Sequence, residues 1–171
     1  MSQMSARTLE KMREILMEPD ASGPEDMYYM IRGNPNVTVW NPGSVGKEYV
    51  KTYGHYHKHD EPETYHVLHG EGIFFMQKMG KKIDEIEEIK VQKAKAGDAI
   101  KIPSGWGHFA CNIGKTFLVT VDDAPSDAEH NQNDYTPIQK MHGFAYYIVE
   151  KDGKPILARN HNYKKVPDVK L

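Results

Sequence analysis

The chain has 171 residues, 39% of them hydrophobic, 27% charged and 10% aromatic, which is a single domain's worth of globular sequence and argues against global disorder. Its 22 Lys and Arg face 24 Asp and Glu for a formal charge of -2, so no broad positive field would gather nucleic acid or anionic lipid. No apolar run nears the roughly 20 residues of a spanning helix. The first residues lack an apolar stretch followed by a small-residue cleavage site. The single cysteine, Cys111, forbids an internal disulfide and reads as a buried, inert thiol, so a cytoplasmic protein is expected.

Behind Ser5, a candidate N-cap, Leu9, Met12, Ile15 and Leu16 recur at helical spacing and predict a helix ending near Pro19. Ala21-Ser22-Gly23-Pro24 reads as a connector, so residues 1–26 form an N-terminal helix and connector. A β-barrel over 27–160 and a tail over 161–171, loose from Lys164, complete one domain. Short segments rich in β-branched and aromatic residues predict strands at 27–32, 38–40, 48–53, 64–68 and 72–78. His69-Gly70-Glu71-Gly72 predicts a hairpin between the last two. Met79-Gly80-Lys81-Lys82 then turns into 83–91, where isoleucines three apart also suit a helix, but the flanking turns favour an edge strand. Strands follow at 99–102, 117–121 and 144–150, and Asp152-Gly153 turns the last into 155–158. Strands at this spacing, without internal repeat or linker, predict an all-β, closed or nearly closed antiparallel barrel with an N-terminal helical extension.

Nine histidines are present, and their placement matters more than their number. Residues two apart on a strand share a face, so His55 and His57 set two imidazoles side by side inside the barrel. On the facing strand of a hairpin, Glu63 and Tyr65 would share one face. A carboxylate opposite two imidazoles is the facial set favoured by Fe(II) and its divalent relatives. Glu61 competes for the carboxylate role, and Glu63 is better placed relative to Gly70. Further on, the strand at 99–102 runs into the Pro103-Ser104-Gly105 turn, which presents His108 as a fourth ligand. A His-x-His pair alone lies more often on a solvated strand, and His59, His66 and His69 keep that reading. Trp106 reads as a packing wedge at its turn, and His142 and His161 as surface residues.

Together the two segments resemble the paired motifs of the cupin superfamily, a double-stranded β-helix or jelly-roll barrel. The first runs from His55-x-His57 through five residues to Glu63 and six more to Gly70. The second runs from Gly97 through Pro103-x-Gly105 to His108 and Asn112. The first motif departs in one respect, with five residues before its glutamate where three or four are usual. A longer likeness, over about 28–149, is to the cupin-type glucose-6-phosphate isomerases. Pro42-Gly43-Ser44-Val45-Gly46-Lys47-Glu48, Thr52-Tyr53-Gly54-His55-Tyr56-His57, Trp106-Gly107-His108 and the Asp127 to Tyr135 stretch carry it.

That resemblance implies His55, His57, Glu63 and His108 as ligands of one divalent metal per subunit, Fe(II) first, with Mn(II), Ni(II) or Zn(II) as alternatives. It implies Glu63 and Tyr65 as catalytic groups. Tyr28, Thr38, Thr52, Gly54, His130 and Tyr135 become substrate-binding residues toward a sugar phosphate. The expected activity is interconversion of glucose 6-phosphate and fructose 6-phosphate through a cis-enediol, within glycolysis or gluconeogenesis, by a cytoplasmic homodimer without nucleic-acid or membrane partners. Asn131-Gln132-Asn133 interrupts the family pattern between His130 and Tyr135, and Asp123-Ala124-Pro125 stands where the family tends to have a pocket tyrosine. A non-heme Fe(II) dioxygenase and a non-catalytic sugar-binding cupin are the alternative readings of the same ligand set.

Overall fold

The computed structural model describes residues 3–58, 62–124 and 133–171. In chain order its elements begin with β1 (Gln3–Thr8), α1 (Leu9–Met12), a 3-10 turn (Arg13–Ile15), β2 (Asp26–Arg32), β3 (Asn36–Trp40), β4 (Ser44–Val45), β5 (Glu48–Tyr49) and β6 (His55–His57). Then come β7 (Glu63–His69), β8 (Glu71–Met79), β9 (Ile86–Lys95), β10 (Ala99–Ile102), β11 (Gly107–Asn112) and β12 (Leu118–Asp122). The chain closes with β13 (Asn133–Asp134), α2 (Thr136–Lys140), β14 (Tyr146–Lys151) and β15 (Lys154–Arg159).

Three antiparallel sheets result, in the orders β1-β2-β3-β12-β7-β10, β13-β6-β11-β8-β9 and β15-β14-β5-β4. The first two form the halves of a cupin jelly-roll barrel, and the third covers the outer face of the second. This arrangement explains why β8 is buried almost throughout rather than alternately. Phe74 turns inward onto Tyr65, with ring centroids 5.4 Å apart, while Phe75 turns outward onto Phe109 at 5.2 Å and Phe144 at 6.1 Å. In β3 and β12 strict alternation survives, with Trp40 and Leu118 buried and their neighbours half-exposed.

The strand expected at 83–91 is present but begins later, as β9 (Ile86–Lys95), an edge of the second sheet, and the turns at Gly80 and Gly153 close the expected hairpins. Three expectations need correction. The N-terminal helix is only α1 and its 3-10 turn, and a strand precedes it, because residues 3–8 satisfy the backbone edge of β2, a requirement that outweighs helical spacing. Even so, Leu9, Met12, Ile15 and Leu16 are all buried, as their spacing predicts. The turn at Gly70 does not close a hairpin: β7 pairs with β10 and β12, whereas β8 pairs with β9 and β11, so the chain crosses from one sheet to the other there. The tail is docked rather than loose. Lys165 bridges Glu85, the Ile86 N–H donates to the Lys165 carbonyl at 2.8 Å, and Val166 and Val169 pack on the core.

A buried ion pair ties the N-terminal segment to the barrel. Lys51 and Glu48, each about 1% exposed, lie 2.5 Å apart. The Lys51 ammonium donates to the Ile15 carbonyl at 3.0 Å, and Glu48 accepts the Met17 N–H at 2.8 Å. Burial raises the Glu48 carboxyl, and Lys51 offsets only part of that. Among the described residues no helix is long and apolar enough to cross a membrane.

Candidate metal centre and its cavity

The cavity lies between the two halves of the barrel. His55 and His57 sit two apart on β6, so both rings point inward while Tyr56 between them points outward. The outward ring rests over Gly107, where a Cβ would meet it at 2.5 Å, and stacks near Phe144. His108 pairs directly opposite His55 across β11 and β6, and cross-strand partners share a face, so the third imidazole joins the first two. Glu63 comes from β7 in the opposite sheet, not from a hairpin partner of β6, and reaches the histidines across the barrel.

The donor atoms converge. His55 Nε2 lies 3.2 Å from His57 Nε2, His57 Nε2 lies 2.5 Å from Glu63 Oε2, and His108 Nε2 lies 3.5 Å from the same carboxylate oxygen. All four lie within 4.8 Å of one another. Ligands about 2.1 Å from one ion stand about 3.0 to 3.4 Å apart in octahedral or tetrahedral arrangements, so this donor set fits a divalent cation without rearranging the backbone. Three imidazoles and one carboxylate suit Fe, Mn, Ni and Zn alike. Burial on its own raises the Glu63 carboxyl, but the hydrogen bond from His57 and the charges of His108 and His57 together outweigh it and hold it below the usual range. Glu63 is therefore ionised. Tyr65, also from β7, is held well above its usual pKa, first by burial and then by the negative charges of Glu63 and Asp122. Its hydroxyl stays protonated, 3.4 Å from His108 Nε2.

Tyr28, Thr38, Thr52, Gly54 and Tyr135 all line the same cavity. The Tyr28 hydroxyl accepts the Tyr53 N–H at 3.2 Å, and the Thr52 hydroxyl accepts the Ala110 N–H at 3.1 Å. The Tyr135 ring packs edgewise on His55 and Tyr53 at 5.6 and 5.5 Å. His130, the competing Glu61 and His59 lie outside the described residues. His66, His69, His142 and His161 are exposed, as expected. Trp106 is buried under the Lys90 ammonium, 4.7 Å from its ring centroid, a packing position. Cys111 is fully buried, and burial pushes its thiol up to about 12, so it is inert.

Sequence reasoning missed Arg7, Arg32, Asp122 and Asn133, which also line the cavity. Asp122 was within reach: it shares the buried parity of β12 with Leu118 and Thr120, and a carboxylate on a buried parity is a signal. Burial first, and the Glu63 charge second, push it up to about 6, while Asn36 Nδ2 donates to it at 2.9 Å. Arg7 carried no such signal, because its strand read as the start of a helix.

A family model described as glucose-6-phosphate isomerase matches residues 24–166. The chain belongs to this glucose-6-phosphate isomerase family. It is 33% identical over 129 residues to the glucose-6-phosphate isomerase of Thermococcus litoralis, covering 75% of this chain and 63% of that one. Identity to the Pyrococcus furiosus enzyme is 33% over 130 residues, with 75% and 64% covered. The chain thus spans slightly under two thirds of the length of these glucose-6-phosphate isomerases. Capsular polysaccharide assembling protein CapF of Staphylococcus aureus shares the fold, with a TM-score of 0.50, 19% identity, and 65% of this chain and 32% of that one covered. Within the family match lie all four metal-centre residues.

Proposed function

We propose that the protein interconverts glucose 6-phosphate and fructose 6-phosphate with a divalent metal at His55, His57, Glu63 and His108. The observation that carries this reading is the convergence of three imidazoles and an ionised carboxylate on one wall of a cavity that offers hydroxyl and backbone N–H groups elsewhere. A divalent ion there would supply positive charge for the oxygens on C1 and C2 as they become negative. The chain's own residues do the rest. Hydroxyls of Tyr28, Thr38 and Thr52 and the backbone at Gly54 hold the phosphate end. Glu63, ionised, takes the proton from C2 of the aldose and returns it to C1 of the resulting cis-enediol. Tyr65, protonated at rest, gives its proton to the oxygen on C1 as the enediol forms and takes the proton of the oxygen on C2 as the ketone forms, so that it ends as it began. Tyr135, beside His55, closes the side of the cavity, and His130 is proposed to join it there. Fe(II) is the proposed ion, the protein is proposed to act in glycolysis or gluconeogenesis as a cytoplasmic homodimer, and neither nucleic acid nor membrane is a proposed partner.

The test is a coupled assay of fructose 6-phosphate conversion on protein stripped by chelator and restored with Fe(II) or Mn(II). Metal-dependent turnover that disappears in His55→Ala is expected. Metal binding with no turnover would overturn the substrate assignment, and oxygen uptake would instead favour a dioxygenase on the same ligands. For the enediol, turnover in deuterated water should place deuterium on C2 of glucose 6-phosphate; transfer without solvent exchange would refute that route.

A further inference from the structure

Two guanidinium groups line the cavity, and they are differently placed. Arg32 stands at one end of β2, where it lowers the carboxyl of the neighbouring Asp122, and its Nη2 contacts Met30 Sδ at 3.6 Å. Arg7 stands at the other end, on β1, paired across the sheet with Tyr28. Its Cζ lies over the Tyr53 ring, 5.5 Å from the centroid. It makes no ion pair with any carboxylate among the described residues; its guanidinium interacts with the Tyr28 hydroxyl, while its Nε is buried without a hydrogen-bond acceptor. A buried donor on a charged group is costly to leave unpaired. Nor is Arg7 on a loose end: β1 pairs along its length with β2, and the segment after it is held by the buried Lys51 and Glu48.

We propose that Arg7 is the anion-binding residue of this cavity, its guanidinium holding the phosphate of a phosphorylated sugar beside the Tyr28 hydroxyl. A planar fork of N–H donors matches phosphate geometry, where hydroxyls and backbone N–H groups alone supply no countercharge. The residue lies outside the family match at 24–166, on the N-terminal strand that pairs with β2. Arg7 selects phosphorylated over free sugars. The identity of the sugar rests on the isomerase reading; the anion site does not.

The test measures binding of inorganic phosphate and of fructose 6-phosphate by calorimetry, alongside turnover, for the wild type, Arg7→Met, Arg7→Lys and Lys11→Met. Lys11 lines the neighbouring outer groove but not the cavity, and serves as a control for loss of a nearby charge. Arg7→Met should weaken phosphate and fructose 6-phosphate binding about 10- to 100-fold, the range of a charge-assisted hydrogen bond, with KM affected more than kcat. Arg7→Lys should recover part of this, and Lys11→Met should change binding less than about twofold. Equal phosphate binding by the wild type and folded Arg7→Met, or by the wild type and Arg7→Lys if the former does not fold, overturns the inference. Arg7-dependent phosphate binding without turnover upholds the anion site while refuting the isomerase reading.

Discussion

Gly54 packs between the Phe144 ring and the backbone of the strand that carries His108. Its φ is +76°, and a Cβ there would lie 2.4 Å from the Phe144 ring and 2.7 Å from the His108 carbonyl oxygen. Gly54→Ala therefore carries two costs. The left-handed backbone costs about 1 kcal/mol for a residue with a Cβ. Forcing apart a packed ring and the backbone of a ligand-bearing strand costs about 1 to 3 kcal/mol more. The sum is about 2 to 4 kcal/mol, or very roughly 4 to 16 °C in Tm for a chain of this size. Gly153→Ala is the comparison, because Gly153 has φ +73° in the β14–β15 turn with nothing within 4 Å of its added Cβ. It should lose only the first cost, about 1 kcal/mol. Urea unfolding of both variants isolates the contact contribution. Because the displaced backbone belongs to His108, Gly54→Ala should also weaken Mn(II) binding by about 10- to 100-fold, as misplaced support of a ligand does. Equal losses of stability in the two variants, or unchanged Mn(II) affinity in Gly54→Ala, would refute the reasoning.

Other outcomes follow from the same geometry. Saturating divalent metal at about a thousand times Kd should stabilise the wild type by about 4 kcal/mol, and His108→Ala should lose most of that shift in a melting assay. Lys51→Met should cost about 3 to 5 kcal/mol by leaving Glu48 buried and uncompensated. Burial raises the folded pKa of Glu48, so the folded state keeps its proton longer than the unfolded one, and the penalty in Lys51→Met should deepen as pH rises from 5 to 8. Addition of Glu48→Gln should recover part of it; a pH-independent penalty would contradict this account. Cys111 ionises near 9 when unfolded and near 12 when folded. Above pH 9 the unfolded state therefore binds fewer protons, and this thiol alone should lower stability by about 1.4 kcal/mol per pH unit. Urea midpoints at pH 9 and 10.5 should converge between the wild type and Cys111→Ala as pH rises, and parallel profiles would count against the buried thiol.

Local patterns were enough for most strands of the barrel, for two of the hairpins and for singling out the four residues that converge at the candidate metal centre, but not for β1, β4 or β13. Alternation places His55 with His57 and Glu63 with Tyr65 whatever the rest of the chain does, because the strand repeat of two residues is a property of the backbone. The burial of Leu9, Met12, Ile15 and Leu16 was equally legible, since apolar spacing reports a buried face even where the helix is short. Which sheet each strand joins was not legible. Gly70 looks the same in a hairpin as in a crossing between sheets, and only the pairing of β7 with β12 and β10 decides that Glu63 meets the histidines from across the barrel. The same holds for Arg7, Arg32 and Asp122, which are far apart in the chain from the histidines they join around one cavity. Side-chain direction along a strand is a local consequence of backbone geometry, whereas the choice of neighbouring strands is settled by burying two sheet faces and satisfying every edge at once, and that choice is made only by the whole fold.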